Sequence, residues 1–206
     1  MVPHKTPSLF KYLWPNLVWN IPNSEKKIFL TFDDGPIPGL TEWVIQTLDA
    51  YKIKSTFFCV GENIKKHPDV FSKLLEAGHS IGNHTHHHLN GRMVSTGDYL
   101  DDILLCDEAL NIENTSTDLF RPPYGRLKTS QRNSLKHKRI VMWDVLSKDY
   151  DGSLKPEDIL RGTIKATQPG SIVVFHDNLK AETNLKAVLP KYIDHFLSIG
   201  YQFEQL

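Results

Sequence analysis

Short apolar runs alternate with amphipathic helical patterns along nearly the whole chain, and this rhythm limits the fold more than any other feature. Lys27 to Thr31, Ser55 to Val60, Leu119 to Arg121, Arg139 to Trp143 and Ser171 to Phe175 read as strands. A further short strand is expected at 79–82, and Tyr201 to Phe203 closes the chain. Helical periodicity spans 40–51, 68–77, 98–110, 129–136, 158–167 and 185–197. Pro68 near a first turn and Gly78 just past a last turn punctuate one of these helices. Roughly seven strand–helix alternations predict an α/β fold with a parallel sheet, because parallel strands need crossovers of helical length. In such folds ligand sites gather at the C-terminal ends of the strands.

The polar clusters obey that rule. Each follows an apolar run directly: Asp33-Asp34, His84 to His88, Arg121, Asp144 to Asp149, and His176-Asp177. Composition narrows the field further. Lys plus Arg and Asp plus Glu each total 24, so the balanced charge argues against a general nucleic-acid binder. No apolar run approaches the ~18 residues of a membrane span. The two cysteines, Cys59 and Cys106, cannot make a disulfide framework, and Cys59 reads as a buried free thiol. Leu9 to Val18 is rich in apolar and aromatic residues but interrupted by Lys11 and Pro15. With no small-residue cleavage site after it, it reads as a packing arm over 1–24, ahead of a domain over 25–206. The absence of a recognisable signal peptide points to a cytoplasmic location, with export by another route left open.

Each cluster carries its own chemical suggestion. In Thr31-Phe32-Asp33-Asp34-Gly35-Pro36, adjacent carboxylates on extended backbone would point to opposite sides, one toward a metal and one toward a proton. Asp-Gly and Gly-Pro also make ordinary loops. In Asn83-His84-Thr85-His86-His87-His88, His84 and His88 are spaced i, i+4 and would share a face on a helical turn, as a borderline metal requires. Arg121-Pro122-Pro123-Tyr124-Gly125 fixes the backbone at a strand end, where Arg121 suits a bidentate carboxylate pair. The acidic loop Trp143 to Asp151 suits tuning of another group, and His176, after four apolar residues, suits a general acid.

In this order the motifs resemble those of the polysaccharide deacetylase family, also called the NodB-homology domain or carbohydrate esterase family 4. TFDDGP stands at Thr31 to Pro36, H-[ST]-x-x-H at His84 to His88, RPPYG at Arg121 to Gly125, and the closing apolar-His motif at Val174 to His176. The resemblance covers about residues 25 to 205. It implies a distorted (β/α) barrel of about seven parallel strands in a single domain. It implies a divalent metal, usually Zn2+ with Co2+, Ni2+ or Mn2+ as alternatives, on Asp34, His84 and His88. It implies Asp33 as general base, Arg121 orienting it, His176 as general acid and Asp149 tuning that acid. It places the Tyr124 backbone N–H at the oxyanion, and Pro123, Tyr150 and Val174 around the substrate.

The fourth motif departs from the family's D-x-x-D-W pattern. Leu146 replaces the first Asp and Tyr150 the Trp, while Asp149 is kept; Val174 stands where Leu is frequent. The implied activity is metal-dependent N-deacetylation of acetylated amino-sugar glycans of chitooligosaccharide or peptidoglycan type. The alternatives are an O-acetyl esterase or small-amide hydrolase of the same fold, or a catalytically silent glycan-binding domain. The expected partner is an acetylated glycan, and the sequence says nothing of oligomeric state.

Overall fold

The computed structural model describes residues 3–22 and 25–206. Among these residues are eight strands: β1 (Lys27–Asp33), β2 (Thr56–Cys59), β3 (Ser80–Asn83), β4 (Leu119–Phe120), β5 (Arg139–Ile140), β6 (Val145–Leu146), β7 (Ile172–His176) and β8 (Gln202–Glu204). Seven run parallel in the order β5-β4-β3-β2-β1-β7-β6, curled into an incomplete barrel, and β8 pairs with the start of β1. The expected single α/β barrel of about seven parallel strands is therefore present.

Among the described residues eight α-helices accompany the sheet: α1 (Ser8–Leu13), α2 (Leu40–Ala50), α3 (Gly61–Lys66), α4 (Pro68–Glu76), α5 (Thr96–Ile112), α6 (Thr129–Ser134), α7 (Pro156–Ala166) and α8 (Glu182–Ser198). The two-residue period of a strand sorts their contacts. Along β1, Ile28, Leu30 and Phe32 face the outer helices and join the main core. Phe29 points inward with Phe58, Leu119, Val141 and Ile172 to fill the barrel. The same alternation puts Thr31 and Asp33 on the inner face above that plug. Both faces of β1 are covered, so it reads as a continuous apolar run until the polar residues its end must present.

Helix α3 and strand β6 are absent from the pattern-based assignment. Helix α3 is short and follows β2 without a turn signal, and β6 is two residues inside what reads as an acidic loop. Leu104 on α5 is 55% exposed; Tyr99, Ile103, Cys106 and Ala109 hold that helix to the barrel. Cys59 and Cys106 are free and buried.

The arm bridges the gap between the two edges of the sheet. Val18 pairs with Val141 beyond β5, and Lys5 with Val145 of β6. Val18 N–H donates to the Ile140 carbonyl at 2.9 Å, and Leu146 N–H to the His4 carbonyl at 2.8 Å. The fully buried Asp144 anchors it, accepting from Lys5 Nζ and Lys11 Nζ at 2.6 Å each and from Ser171 Oγ at 2.6 Å. Burying a carboxylate is costly unless it is paired and fully hydrogen-bonded, and here it is. The expected boundary between residues 24 and 25 adjoins residues 23 and 24, which lie outside the described residues.

Candidate active site

Asp33 ends β1 and is the register partner of His176, which ends β7. Adjacent parallel strands are ~4.8 Å apart, so the two side chains rise from one face at one level. The intervening depth of the barrel is occupied by Arg121, which is fully buried. Its Nη1 donates to Asp33 Oδ1 at 2.7 Å and to Thr31 Oγ1 at 2.8 Å, and its Nη2 to the Met142 carbonyl at 3.0 Å. The guanidinium lies over the Phe58 ring at 4.0 Å. The pair with Asp33 is single rather than bidentate, because the other donors are engaged by the barrel's own acceptors.

Asp34 does not sit on extended backbone as expected. Its φ is 85°, a left-handed conformation that turns its carboxylate back over the end of the strand. Asn63 Nδ2 donates to its carbonyl at 2.8 Å and Asn178 Nδ2 to its Oδ2, leaving Oδ1 free to face two imidazoles. His88 Nε2 is 3.0 Å and His84 Nε2 3.4 Å from that oxygen. These three ligand atoms lie within 4.8 Å of one another. Burial works against the Asp34 charge, but the imidazoles of His84 and His88, with His176 beyond, hold its carboxyl well below the usual range.

The donor set fits a divalent cation. His84 Nδ1 lies 2.7 Å from the Arg121 carbonyl, which only accepts, so Nδ1 carries the proton. In the neutral ring Nε2 is then a lone pair aimed at a carboxylate, so two acceptors converge on one point. Such convergence calls for a positive centre, and two imidazoles with one carboxylate are a common set for zinc. His84 and His88 meet through a tight turn with Thr85 at φ 61° and His88 at φ 55°, not through the helical turn their spacing suggests.

Asp102, on α5, sets that turn. Its Oδ2 accepts the backbone N–H groups of His86 and His87 at 3.0 Å each, and its Oδ1 lies 2.5 Å from His87 Nδ1. Sequence reasoning missed it because it reads as one polar residue within an ordinary helix. In the sequence Asp177 reads only as a companion of His176. It accepts Gly35 N–H at 3.1 Å and bonds Thr41 Oγ1 at 2.5 Å. A Cβ on Gly35 would come within 2.0 Å of Asp177 Oδ2, so only glycine fits beneath this clamp. Burial pushes the Asp177 carboxyl up to about 8, against the Thr41 hydrogen bond.

Asp149 and His176 are also brought together. His176 Nδ1 lies 2.7 Å from Asp149 Oδ1, and Asp149 Oδ2 accepts the His176 backbone N–H at 2.8 Å. Burial disfavours the imidazolium, but Asp149, helped by Asp34 and Asp33, raises its pKa to about 9. Tyr150 packs its ring edge-on to His176, with centroids 5.0 Å apart. Tyr124 lies at φ 60°, and its hydroxyl is 3.1 Å from His88 Nδ1. Among the described residues its backbone N–H has no backbone acceptor. Pro123 is buried behind it, and Val174 is fully buried on β7 beside Leu146, enclosed rather than lining an opening. No helix among the described residues is long and apolar enough to cross a membrane.

Known proteins resemble this chain in sequence and fold. A family model described as polysaccharide deacetylase matches residues 20–143. A peptidoglycan-N-acetylglucosamine deacetylase of Bacillus cereus is 32% identical over 190 residues, covering 91% of this chain and 89% of the relative. The peptidoglycan-N-acetylmuramic acid deacetylase PdaC of Bacillus subtilis is 31% identical over 87% of this chain, which spans only 38% of that longer relative. The crystal structure of the Bc1960 peptidoglycan N-acetylglucosamine deacetylase superposes with a TM-score of 0.89 at 28% identity, covering 98% of this chain and 95% of that one. The chain belongs to the polysaccharide deacetylase family.

Proposed function

We propose that the protein is a metal-dependent hydrolase that removes N-acetyl groups from amino-sugar glycans of the peptidoglycan type. The observation that carries this reading is the register pairing of Asp33 with His176 beside the Asp34, His84 and His88 cluster. The two curated relatives described above act on peptidoglycan by name, which favours that substrate over chitooligosaccharides.

Each residue's part follows from its surroundings. Asp34, His84 and His88 would hold the cation, a zinc ion in this proposal, which when bound would polarise the acetyl carbonyl and acidify water. Asp33, oriented by Arg121, takes the proton of the attacking water. The Tyr124 N–H faces the oxygen on which negative charge develops. His176, kept protonated by Asp149, gives its proton to the departing amine, since an amide nitrogen leaves poorly as an anion. Acetate and a free amino sugar result. Tyr150 in place of the family's Trp forms the edge of the acetyl subsite against His176.

Acetate release from peptidoglycan and N-acetylglucosamine oligomers tests the proposal, using metal-stripped enzyme with zinc restored and Asp33→Asn alongside. Zinc-dependent release that Asp33→Asn abolishes is expected. Zinc binding without release from either glycan would overturn the reading.

A further inference from the structure

A groove of about 180 Å3 runs between the arm and the loop that follows β4. One side is aromatic. Phe10 and Trp14 stack with centroids 5.6 Å apart at 19°, and Trp19 Nε1 donates to the Trp14 carbonyl at 3.0 Å. The other side carries Arg92, Lys128 and Arg132. No Asp or Glu lines the groove, although the chain has 24 acidic and 24 basic residues. Three cations without a counter-charge are therefore a local excess in a neutral protein. Lys128 Nζ donates to the Val94 carbonyl at 2.5 Å, so the two arginines are the more available. Neither arginine is ion-paired among the described residues.

The loop of Arg121 to Gly125 links the groove to the candidate active site. Gly125 contributes to its lining, and the preceding Tyr124 reaches His88. Its volume falls short of the ~300 Å3 of a small-molecule pocket, so it suits one unit of a longer chain. The C–H face of a sugar ring packs on aromatic faces, and the guanidinium fork matches a carboxylate.

We propose that this groove is a glycan subsite selecting amino-sugar chains that bear carboxylates, with a sugar face on Phe10 and Trp14 and the carboxylate on Arg92 and Arg132. The proposal rests on the deacetylase reading and names the substrate class for it. The carboxylate comes from an acid ether-linked to the sugar or from an attached peptide.

The test is steady-state acetate release by wild type and an Arg92→Gln/Arg132→Gln double variant. The substrates are neutral N-acetylglucosamine oligomers and muramic-acid-containing strands, with and without their peptides. KM for the acidic strands is expected to rise about five- to thirty-fold with kcat unchanged, the loss of two exposed charge contacts, while the neutral oligomers are unaffected. A rise confined to peptide-bearing strands assigns the carboxylate to the peptide, and a rise on both assigns it to the sugar. Phe10→Ala should raise KM on neutral and acidic strands alike. An equal effect of the arginine variant on neutral and acidic strands, or no effect, overturns the proposal. If wild type releases acetate from neither substrate, the deacetylase reading fails and the groove is judged by calorimetry. Tighter binding of acidic strands by wild type alone then supports it, and equal binding overturns it. Arginine-dependent capture by phosphatidylglycerol vesicles, without preference for acidic glycan, also overturns it.

Discussion

Asp149 grips His176 twice, one carboxylate oxygen 2.7 Å from Nδ1 and the other accepting the same residue's backbone N–H at 2.8 Å. The ring orientation and its charge therefore depend on one side chain. With its folded pKa at about 9, above the ordinary 6.5, His176 contributes stability that is fully present below pH 6.5 and lost as pH rises through about 9.

Asp149→Asn should lower that pKa and move the alkaline limb of the kcat/KM profile to lower pH. The same substitution should flatten the loss of thermal stability between pH 6.5 and 9. Rate–pH profiles and melting curves of both proteins check this, and an unmoved alkaline limb would remove His176 from the acid's role.

Asp33→Asn should lower kcat by ~10²–10⁴ with little effect on substrate binding, as loss of a general base does. Arg121→Met is a different experiment. It strips the partner from a buried carboxylate and leaves Thr31 Oγ1 and the Met142 carbonyl without their donor, so about 3–5 kcal/mol of stability should go as well. Urea unfolding of the two variants separates the effects: Asp33→Asn keeps an acceptor for Arg121 and should lose less stability than Arg121→Met, which removes three donors at once.

Zinc at a hundred times its dissociation constant should stabilise the apoprotein by ~2.7 kcal/mol, raising Tm by roughly 5–10 °C for a chain of this size. His84→Ala or His88→Ala should abolish the shift. A shift that survives both substitutions would place the cation elsewhere.

Asp102→Ala should weaken zinc binding by ~10–100-fold, the usual effect of losing a group that orients metal ligands. Asp102→Asn should restore part of it, since an amide oxygen still accepts a backbone N–H. Competition with a chromogenic chelator measures the affinity. Equal zinc affinity in all three proteins would reduce Asp102 to a packing role.

The legible parts of the sequence were those whose signal is local. The β1 and β7 runs each end in polar residues, so Asp33 and His176 announced themselves as strand-end groups. Their register pairing did not, because alignment between strands separated by more than a hundred residues is a property of the closed sheet. The His84 and His88 spacing suggested a shared ligand, but the turn that joins them needs two left-handed residues and a carboxylate from α5. Asn63 and Asn178 were invisible for the same reason: an asparagine that positions Asp34 looks like any loop asparagine until the loops meet. Strand β6 lay hidden because two residues carry no measurable alternation.

The arm has a practical consequence for anyone defining this enzyme's limits. The family signature begins at residue 20, yet residues 4 to 18 supply hydrogen bonds to both free margins of the sheet. They act as the missing stave of a cask, pinned by Asp144. The unit of recognition and the unit of folding are therefore different lengths of chain. A fragment cut at the first recognisable residue would keep the candidate reacting groups and lose the hoop that holds the loop carrying Asp149 in place.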